Sequence, residues 1–187
     1  NKDGVFRLHI EHDIIKGVSP KMLDWWFRNI KGTMTYHGKL YPRYLVWHPI
    51  DHIHWELKKV GADGKVGVGS QFRIVEALNS NINYLIDTVD TVSKLDQSGI
   101  VLTLTVFGVE MFNLTHDFHP TPEGTKYVSN MTVGSNHMLG RFLLNGLFTK
   151  HIFTEEMGRA WLRHNIEEVG NFEFFLPDLY LSETTNP

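Results

Sequence analysis

The chain has 187 residues, of which 42% are hydrophobic and 21% charged, and its net charge is -3. This length suffices for one domain with a sizeable core, so we expect a single domain over residues 1–187. The slight negative charge and scattered basic residues argue against binding to nucleic acid or to an anionic membrane. Cysteine is absent, which excludes disulfides and thiolate metal ligands and favours a cytoplasmic location. No apolar stretch approaches the roughly 18 residues of a transmembrane helix.

The predicted elements begin with a strand from Val5 to Ile15 and a short helix from Pro20 to about Ile30. Ser19 is suited to cap this helix, and Pro20 to its first position. A segment rich in His, Tyr, Gly and Pro then runs to Tyr44. Six strand-like runs follow: His52 to Lys59, Gln71 to Leu78, Ile82 to Val92, Ile100 to Val109, Met111 to Phe118 and Lys126 to Val133.

The last part of the chain is predicted to be helical. Helical periodicity extends from His137 to Val169 with a break near Lys150, and the tail after Pro177 is expected to be mobile. This order of elements predicts an α+β fold of the helix-grip type, in which a curved antiparallel sheet surrounds a long C-terminal helix. Such a fold leaves a pocket between the sheet and the helix.

One predicted strand carries a carboxylate on its apolar face. Glu76 alternates with Phe72, Ile74 and Leu78, so these side chains share one face. A buried carboxylate requires a cation, a metal or a proton. A buried pair of Glu76 with an arginine explains the pattern equally well.

A second strand carries an inward histidine. His116 alternates with Phe112, Leu114 and Phe118. A single histidine in such a row is often a hydrogen-bonded core residue, but it is also suited to acid–base chemistry. Both interpretations remain open from the sequence.

The predicted C-terminal helix places a histidine and a carboxylate on its inner stripe. Met157, Trp161, His164 and Glu168 follow one another at helical spacing. His164 and Glu168 are therefore neighbours on one face, as in half of a metal site. Glu167 follows His164 by three residues, so it could take the place of Glu168 on this face.

A histidine-rich segment, Trp47 to Trp55, precedes the second predicted strand. If that strand begins near His52, then His52, His54 and Glu56 share a face, and periodicity does not choose among them. A polar edge strand is the alternative. Mixed His and Glu ligation without sulfur suits zinc, and suits iron or manganese less well.

Several pieces of the chain together resemble one known family. The pieces are Met22-Leu-Asp-Trp-Trp-Phe, Tyr44-Leu-Val-Trp-His-Pro-Ile-Asp-His, Phe72 to Glu76, His116 ahead of Pro122-Glu-Gly-Thr, and His164-Asn-Ile-Glu-Glu. In this order they resemble the zinc-dependent diacetylphloroglucinol hydrolase and phloretin hydrolase family. The resemblance implies a START-like helix-grip fold and the hydrolysis of a carbon–carbon bond between a phenolic ring and an acyl group.

The resemblance also implies a set of site residues. The metal ligands would be His52, Glu76, His164 and Glu168, holding one Zn²⁺ per chain. His52 is preferred to His48 because Tyr44, which matches an active-site tyrosine of the family, precedes His52 by the family's spacing. His116 matches the catalytic histidine.

The expected substrate is a small aromatic or phenolic molecule. The candidate cavity walls are Trp25, Trp26, Trp47 and Phe118, with Tyr127 the nearest match to a second family tyrosine. These aromatic residues are explained equally well as plain core. Two other functions remain as alternatives, a non-catalytic START-like carrier of an apolar aromatic ligand and an aromatic polyketide cyclase. The resemblance leaves a homodimer open.

Overall fold

The computed structural model describes residues 4–138 and 140–185 of the chain. Its main feature is a seven-stranded antiparallel sheet in the order β1-β9-β8-β7-β6-β5-β4. The strands are β1 (Phe6–Lys16), β4 (His52–Lys59), β5 (Gln71–Ala77), β6 (Leu85–Asp96), β7 (Gly99–Val106), β8 (Val109–Thr121) and β9 (Gly124–Val133). All seven strands were predicted from the sequence, with small differences at their ends.

Four α-helices and one hairpin follow, beside short 3₁₀ and π-helical turns. They are α1 (Pro20–Asn29), the hairpin of β2 (Thr33–Tyr36) and β3 (Lys39–Pro42), α2 (Arg43–Trp47), α3 (Asn145–Leu147) and α4 (Glu155–Thr184). The predicted cap of α1 is confirmed, since the Ser19 side chain accepts a hydrogen bond from the Met22 N–H. The hairpin and α2 occupy the segment that sequence reasoning left irregular. Their short lengths give too few residues for periodicity to be read.

The long helix α4 packs against β1 and α1 and covers the inner face of the sheet. The predicted break is confirmed, because a π-helical turn from Phe148 to Ile152 precedes a new start at Thr154, whose side chain caps α4. The predicted end at Val169 and the mobile tail are wrong, since α4 continues through Pro177 to Thr184. Burial of Phe175, Leu176 and Leu179 on the inner stripe outweighs the hydrogen bond lost at Pro177.

Strand register determines which side chains face α4. His116 pairs with Ser129, and Leu114 pairs with Met131, so these residues form rows across the inner face. On the other half of the sheet Glu76 pairs with Ile86. The predicted inward orientation of His116 and Glu76 follows directly from this alternation.

Within the described ranges, no helix is long and apolar enough to cross a membrane. The predicted domain bounds, 1–187, include residues 1–3, 139, 186 and 187, which lie outside the described residues.

Candidate metal centre and cavity

The structure places His52 at the start of β4 with one ring nitrogen unpaired. Its Nδ1 donates a hydrogen bond to the Tyr44 carbonyl at 2.7 Å, which fixes the tautomer. Nε2 then carries a lone pair, is fully buried and has no hydrogen-bond partner among the described residues. A buried acceptor without a donor is costly in free energy. A metal ion would satisfy it.

His164 on α4 is oriented in the same way. Its Nδ1 donates to Asp51 at 3.0 Å, so Nε2 is again the free ring nitrogen. Asp51 is held by the backbone N–H groups of Asn79 and Ser80, each at 2.9 Å. Although burial opposes ionisation, these hydrogen bonds keep the pKa of Asp51 well below its usual range. A carboxylate behind a metal-ligating histidine commonly has this arrangement.

Two carboxylates face the two free imidazole nitrogens. His52 Nε2 lies 3.5 Å from Glu76 and 3.5 Å from Glu168. His164 Nε2 lies 3.6 Å from Glu76 and 3.7 Å from Glu168. Tetrahedral zinc with bonds of about 2.0–2.2 Å sets its ligand atoms about 3.3–3.6 Å apart. We call these four residues, which could hold a metal ion, the metal-binding cluster, and the four histidine–carboxylate separations fit such an ion.

Three members of the cluster are all mutually close. Single ligand atoms of His52, Glu76 and His164 all lie within 4.8 Å of one another. Glu168 joins through its contacts with the two histidines, while its other oxygen accepts a hydrogen bond from Asn165 at 2.6 Å. The structure therefore brings together all four residues that the resemblance implied.

The electrostatics of the cluster favour a cation. Burial would lower the pKa of His164, but the charges of Glu76 and Glu168 raise it to about 9. Burial would raise the pKa of Glu168, but His164 and His52 lower it to about 2. In the metal-free chain a proton on His164 thus offsets the carboxylates. Metal binding would replace that proton with a larger positive charge.

A second group, His48, Asp51 and His164, also brings potential ligand atoms together. The hydrogen bonds of His48 argue against a second metal there. Its Nδ1 accepts the Asp51 N–H at 3.1 Å, so its Nε2 is the donor, 3.1 Å from Glu167. Both nitrogens are used. His48 therefore offers no free ring nitrogen and packs beside His164, with ring centroids 4.5 Å apart.

His116 lies in a buried polar network that sequence reasoning missed. Its Nδ1 is 2.9 Å from the Ser129 hydroxyl, which is also 2.9 Å from His12 Nε2. His12 Nε2 is in turn 3.2 Å from Asn165, the residue that donates to Glu168. His12 alternates with Leu8 and Ile10 along β1, the same sequence pattern that singled out His116.

Burial lowers the pKa of His116 to about 4, so its imidazole is neutral at neutral pH. Tyr127 packs against His116 with ring centroids 5.0 Å apart. The Tyr127 hydroxyl is buried and has no hydrogen-bond partner among the described residues. This corner of the protein therefore holds a neutral imidazole and an unpaired hydroxyl donor, although neither residue is part of the lining of the cavity described below.

Tyr44 is buried beside the metal-binding cluster. Its ring stacks on His52 with centroids 3.9 Å apart, and its hydroxyl donates a short hydrogen bond to Glu76. Burial and the charge of Glu76 raise the pKa of Tyr44 well above its ordinary value. The hydroxyl therefore remains a proton donor, and in the structure it orients a carboxylate.

A cavity of about 380 Å³ opens beside the metal-binding cluster, between the sheet and the helical segment before α4. Glu76, His164 and Glu168 form part of its lining. Most of the remaining wall is apolar and includes Leu102, Leu104, Phe112, Leu114, Met131 and Trp161. Apolar cavities with a few converging polar groups are typical of small-molecule sites.

Asp90 also lines this cavity and was not found by sequence reasoning. It is 2% exposed and accepts a hydrogen bond from the Thr88 hydroxyl at 2.9 Å. Burial raises the pKa of Asp90 to about 7, and the charge of Glu76 adds to the effect. Asp90 alternates with Ile86 and Val92 along β6, so the sequence did contain the pattern.

The aromatic residues expected to form the cavity wall lie elsewhere. The cavity lining includes none of Trp25, Trp26, Trp47, Phe118 and Tyr127. All but Trp25 are buried in the hydrophobic core cluster, and Trp25 packs on its edge. Their contact with substrate stays a prediction, while the alternative interpretation, plain core, describes where the structure places them.

The fold and the site together define a class of protein. A curved seven-stranded sheet encloses a long C-terminal helix, and a buried His/Glu cluster borders an apolar cavity. The model of the DAPG hydrolase PhiG domain matches residues 2–181, so the chain belongs to the DAPG hydrolase family. No curated protein sequence matches the chain.

Solved structures support the START-like helix-grip fold. A START superfamily protein from Mycobacterium smegmatis has a TM-score of 0.57 and 11% identity, covering 92% of this chain and 98% of its own. Major latex-like protein 151 from Panax ginseng has a TM-score of 0.56 and 8% identity, covering 91% of this chain and 96% of its own. Ara h 8.0201 has a TM-score of 0.55 and 10% identity, with coverages of 92% and 97%. At these identities the likeness concerns the fold alone.

Proposed function

We propose that this protein is a zinc-dependent hydrolase that cleaves the carbon–carbon bond between a phenolic ring and an acyl group. The observation that carries the proposal is the buried Nε2 of His52, which has no hydrogen-bond partner among the described residues and faces two carboxylates. Membership of the DAPG hydrolase family supports hydrolysis of this type. The proposed substrates are acylphloroglucinols and related acylphenols.

His52, Glu76, His164 and Glu168 would hold the metal ion. Their donor atoms are nitrogen and oxygen, which suits zinc in a site without sulfur. When bound, zinc supplies Lewis acidity that polarises an oxygen of the substrate. The surrounding residues keep both histidines in the required tautomer, since Asp51 and the Tyr44 carbonyl accept their Nδ1 protons.

The chemistry requires a base and a final proton donor. Water adds to the acyl carbonyl carbon as a base removes its proton, the bond to the ring breaks, and its electron pair is taken up by the ring. A proton then reaches the ring carbon, which yields the deacylated phenol and a carboxylic acid. His116 is proposed for both proton transfers, because burial keeps its imidazole unprotonated at neutral pH and it matches the catalytic histidine of the family.

Two tyrosines have proposed roles near these groups. Tyr44 orients Glu76 through its hydroxyl, and its sequence-based role as a donor to a substrate oxygen remains part of the proposal. Tyr127 has an unpaired hydroxyl next to His116, and a hydrogen bond from it to an oxygen of the substrate remains part of the proposal.

The first test is metal analysis combined with turnover of an acylphloroglucinol. We expect about one zinc per chain in the wild type and its loss in His164→Ala, because removal of one ligand leaves an incomplete site. His54→Ala is the matched control, since this exposed histidine lies on β4 outside the cluster and should leave zinc bound. His116→Ala should retain zinc and lose at least about 100-fold in turnover.

Two results would contradict the proposal. A folded wild-type protein that binds no zinc even when zinc is supplied would remove the metal-dependent mechanism. Full turnover by zinc-loaded His116→Ala would remove the assigned base.

A carrier protein for an apolar aromatic ligand is the second candidate function. The large apolar cavity favours it, because such a cavity suits binding without chemistry. Zinc-independent binding of the acylphenol without product formation would support this function over hydrolysis.

A further inference from the structure

Asp90 is an acidic residue of the cavity lining that, over residues 4–138 and 140–185, belongs neither to the metal-binding cluster nor to an ion pair. Glu76, His164 and Glu168 belong to the metal-binding cluster. Asp87 also lines the cavity, but its carboxylate accepts two hydrogen bonds from the exposed Arg73 guanidinium. The rest of the cavity lining consists of apolar residues and Thr88.

Asp90 is a buried carboxyl with little support from the protein. Thr88 donates one hydrogen bond to Oδ1. In the part of the chain that the structure describes, no Lys, Arg or His forms an ion pair with Asp90, although ion pairs are formed by Asp24, Asp51 and Asp87. A buried carboxyl of this kind costs free energy unless another donor reaches it. The open cavity is the direction from which such a donor can come.

The position of Asp90 relative to the metal-binding cluster is set by strand register. Glu76 on β5 pairs with Ile86 on β6, and Phe72 pairs with Asp90. Glu76 and Asp90 thus face the same side of adjacent strands, offset by four residues or about 13 Å along the strand. Both residues line the same cavity. Their side chains shorten the gap between the two carboxylates, and the charge of Glu76 acts on Asp90.

We infer that Asp90 is a specificity-determining residue that accepts a hydrogen bond from a second ring hydroxyl of the substrate. This inference rests on the proposed function. It narrows the substrate class to acylphenols with at least two ring hydroxyls. One oxygen of the substrate would be held at the metal-binding cluster, and another ring hydroxyl would donate to Asp90. A monohydroxylated acylphenol would leave the carboxyl unsatisfied, and a site built to bind a hydroxyl rejects an analogue that lacks it.

The test compares the binding of two probes to the zinc-loaded full chain. 2,4,6-Trihydroxyacetophenone carries the extra hydroxyls, and 2-hydroxyacetophenone lacks them. Dissociation constants are measured by titration calorimetry for the wild type, Asp90→Leu and Asp90→Asn. Asp96→Asn is the matched control, because Asp96 lies on the same strand, is exposed and is bound to Ser98 outside the cavity.

At about pH 8, above the raised pKa of Asp90, we expect the wild type and Asp96→Asn to prefer the trihydroxylated probe by about tenfold or more, as for a hydrogen bond to a charged group. Asp90→Leu should lose this preference and bind the monohydroxylated probe within about twofold of the wild type. Asp90→Asn keeps an acceptor oxygen without the charge and should show an intermediate preference. Thermal unfolding establishes that each variant is folded.

The outcomes separate this inference from the proposed function. An unchanged preference in folded Asp90→Leu and Asp90→Asn would overturn the role of Asp90, even if the wild type cleaves the substrate. A lost preference together with absence of turnover in the wild type would support the role of Asp90 and remove the hydrolytic function. Failure of the wild type to bind either probe would overturn both.

Discussion

Two regions beneath the sheet each contain a buried nitrogen without a hydrogen-bond partner among the described residues. In the metal-binding cluster the atom is His52 Nε2, and in the aromatic core it is Trp26 Nε1. The aromatic core consists of Trp26, Phe27, Trp47, Phe172 and Phe175, which pack mostly edge to face with centroids about 5–6.5 Å apart.

The two nitrogens differ in their hydrogen-bonding roles, and this difference distinguishes a core residue from a candidate site residue. The indole nitrogen of Trp26 is only a donor and lies among ring faces, with which it can make weak N–H···π contacts. The imidazole nitrogen of His52 is an acceptor whose neighbours are the carboxylates of Glu76 and Glu168. An acceptor surrounded by acceptors is stabilised by a proton or a metal ion placed between them. Aromatic and histidine content alone therefore does not locate a site, whereas the donor and acceptor roles of the atoms do.

The largest expected effect on stability is in the aromatic core. Trp26→Ala should lower the free energy of unfolding by about 3–5 kcal/mol, because a fully buried indole leaves a cavity. Zinc stoichiometry of the folded fraction should be unchanged. Urea denaturation and metal analysis measure the two quantities. The exposed Phe174→Ala on α4 is the control and should change stability by less than about 0.5 kcal/mol. A raised KM with normal stability would instead make Trp26 part of the cavity wall.

A second effect concerns the pH dependence of stability through His116. Burial holds its folded pKa at about 4, below the value of about 6.5 in an unfolded chain. Between these pH values the unfolded chain binds more protons, so stability falls as pH decreases. The full contribution is ~3 kcal/mol, present above pH 6.5 and lost through pH 4.

The measurement is urea denaturation of the metal-free protein across that pH window. His116→Gln removes the titrating group and should show a correspondingly smaller loss of stability on acidification than the wild type. The exposed His119→Gln on the same strand is the control and should follow the wild type. Parallel curves for the wild type and His116→Gln would contradict the assignment.

The smallest expected effect is on zinc affinity and concerns Asp51, which is hydrogen-bonded to His164. Asp51→Asn should weaken zinc affinity by about 10–100-fold, because the His164 Nδ1 proton loses its charged acceptor. Competition with a chelator measures this change. Asp63→Asn, in an exposed turn, should leave the affinity unchanged. Equal affinity in Asp51→Asn and wild type would show that Asp51 does not orient His164 for the metal.

Much of the fold followed from local patterns in the sequence. Alternation predicted the sheet strands and the inward faces of Glu76 and His116, and a Ser-Pro start predicted α1. These features depend on residues close together in the chain. The predicted end of the last helix failed because the helix beyond Val169 is stabilised by packing on α1 and β1 rather than by its own sequence.

The candidate site shows the same division between local and tertiary information. The sequence singled out Glu76, His116, His164 and Glu168 from their places on apolar faces, and the resemblance selected His52. The shared cavity and its Asp90 carboxyl depend on side chains from several strands and α4 meeting in space. The chain of contacts from His116 to Glu168 likewise joins β8, β9, β1 and α4. Periodicity states which way a side chain points, but only the register of the strands and the packing of the helix decide which side chains it meets.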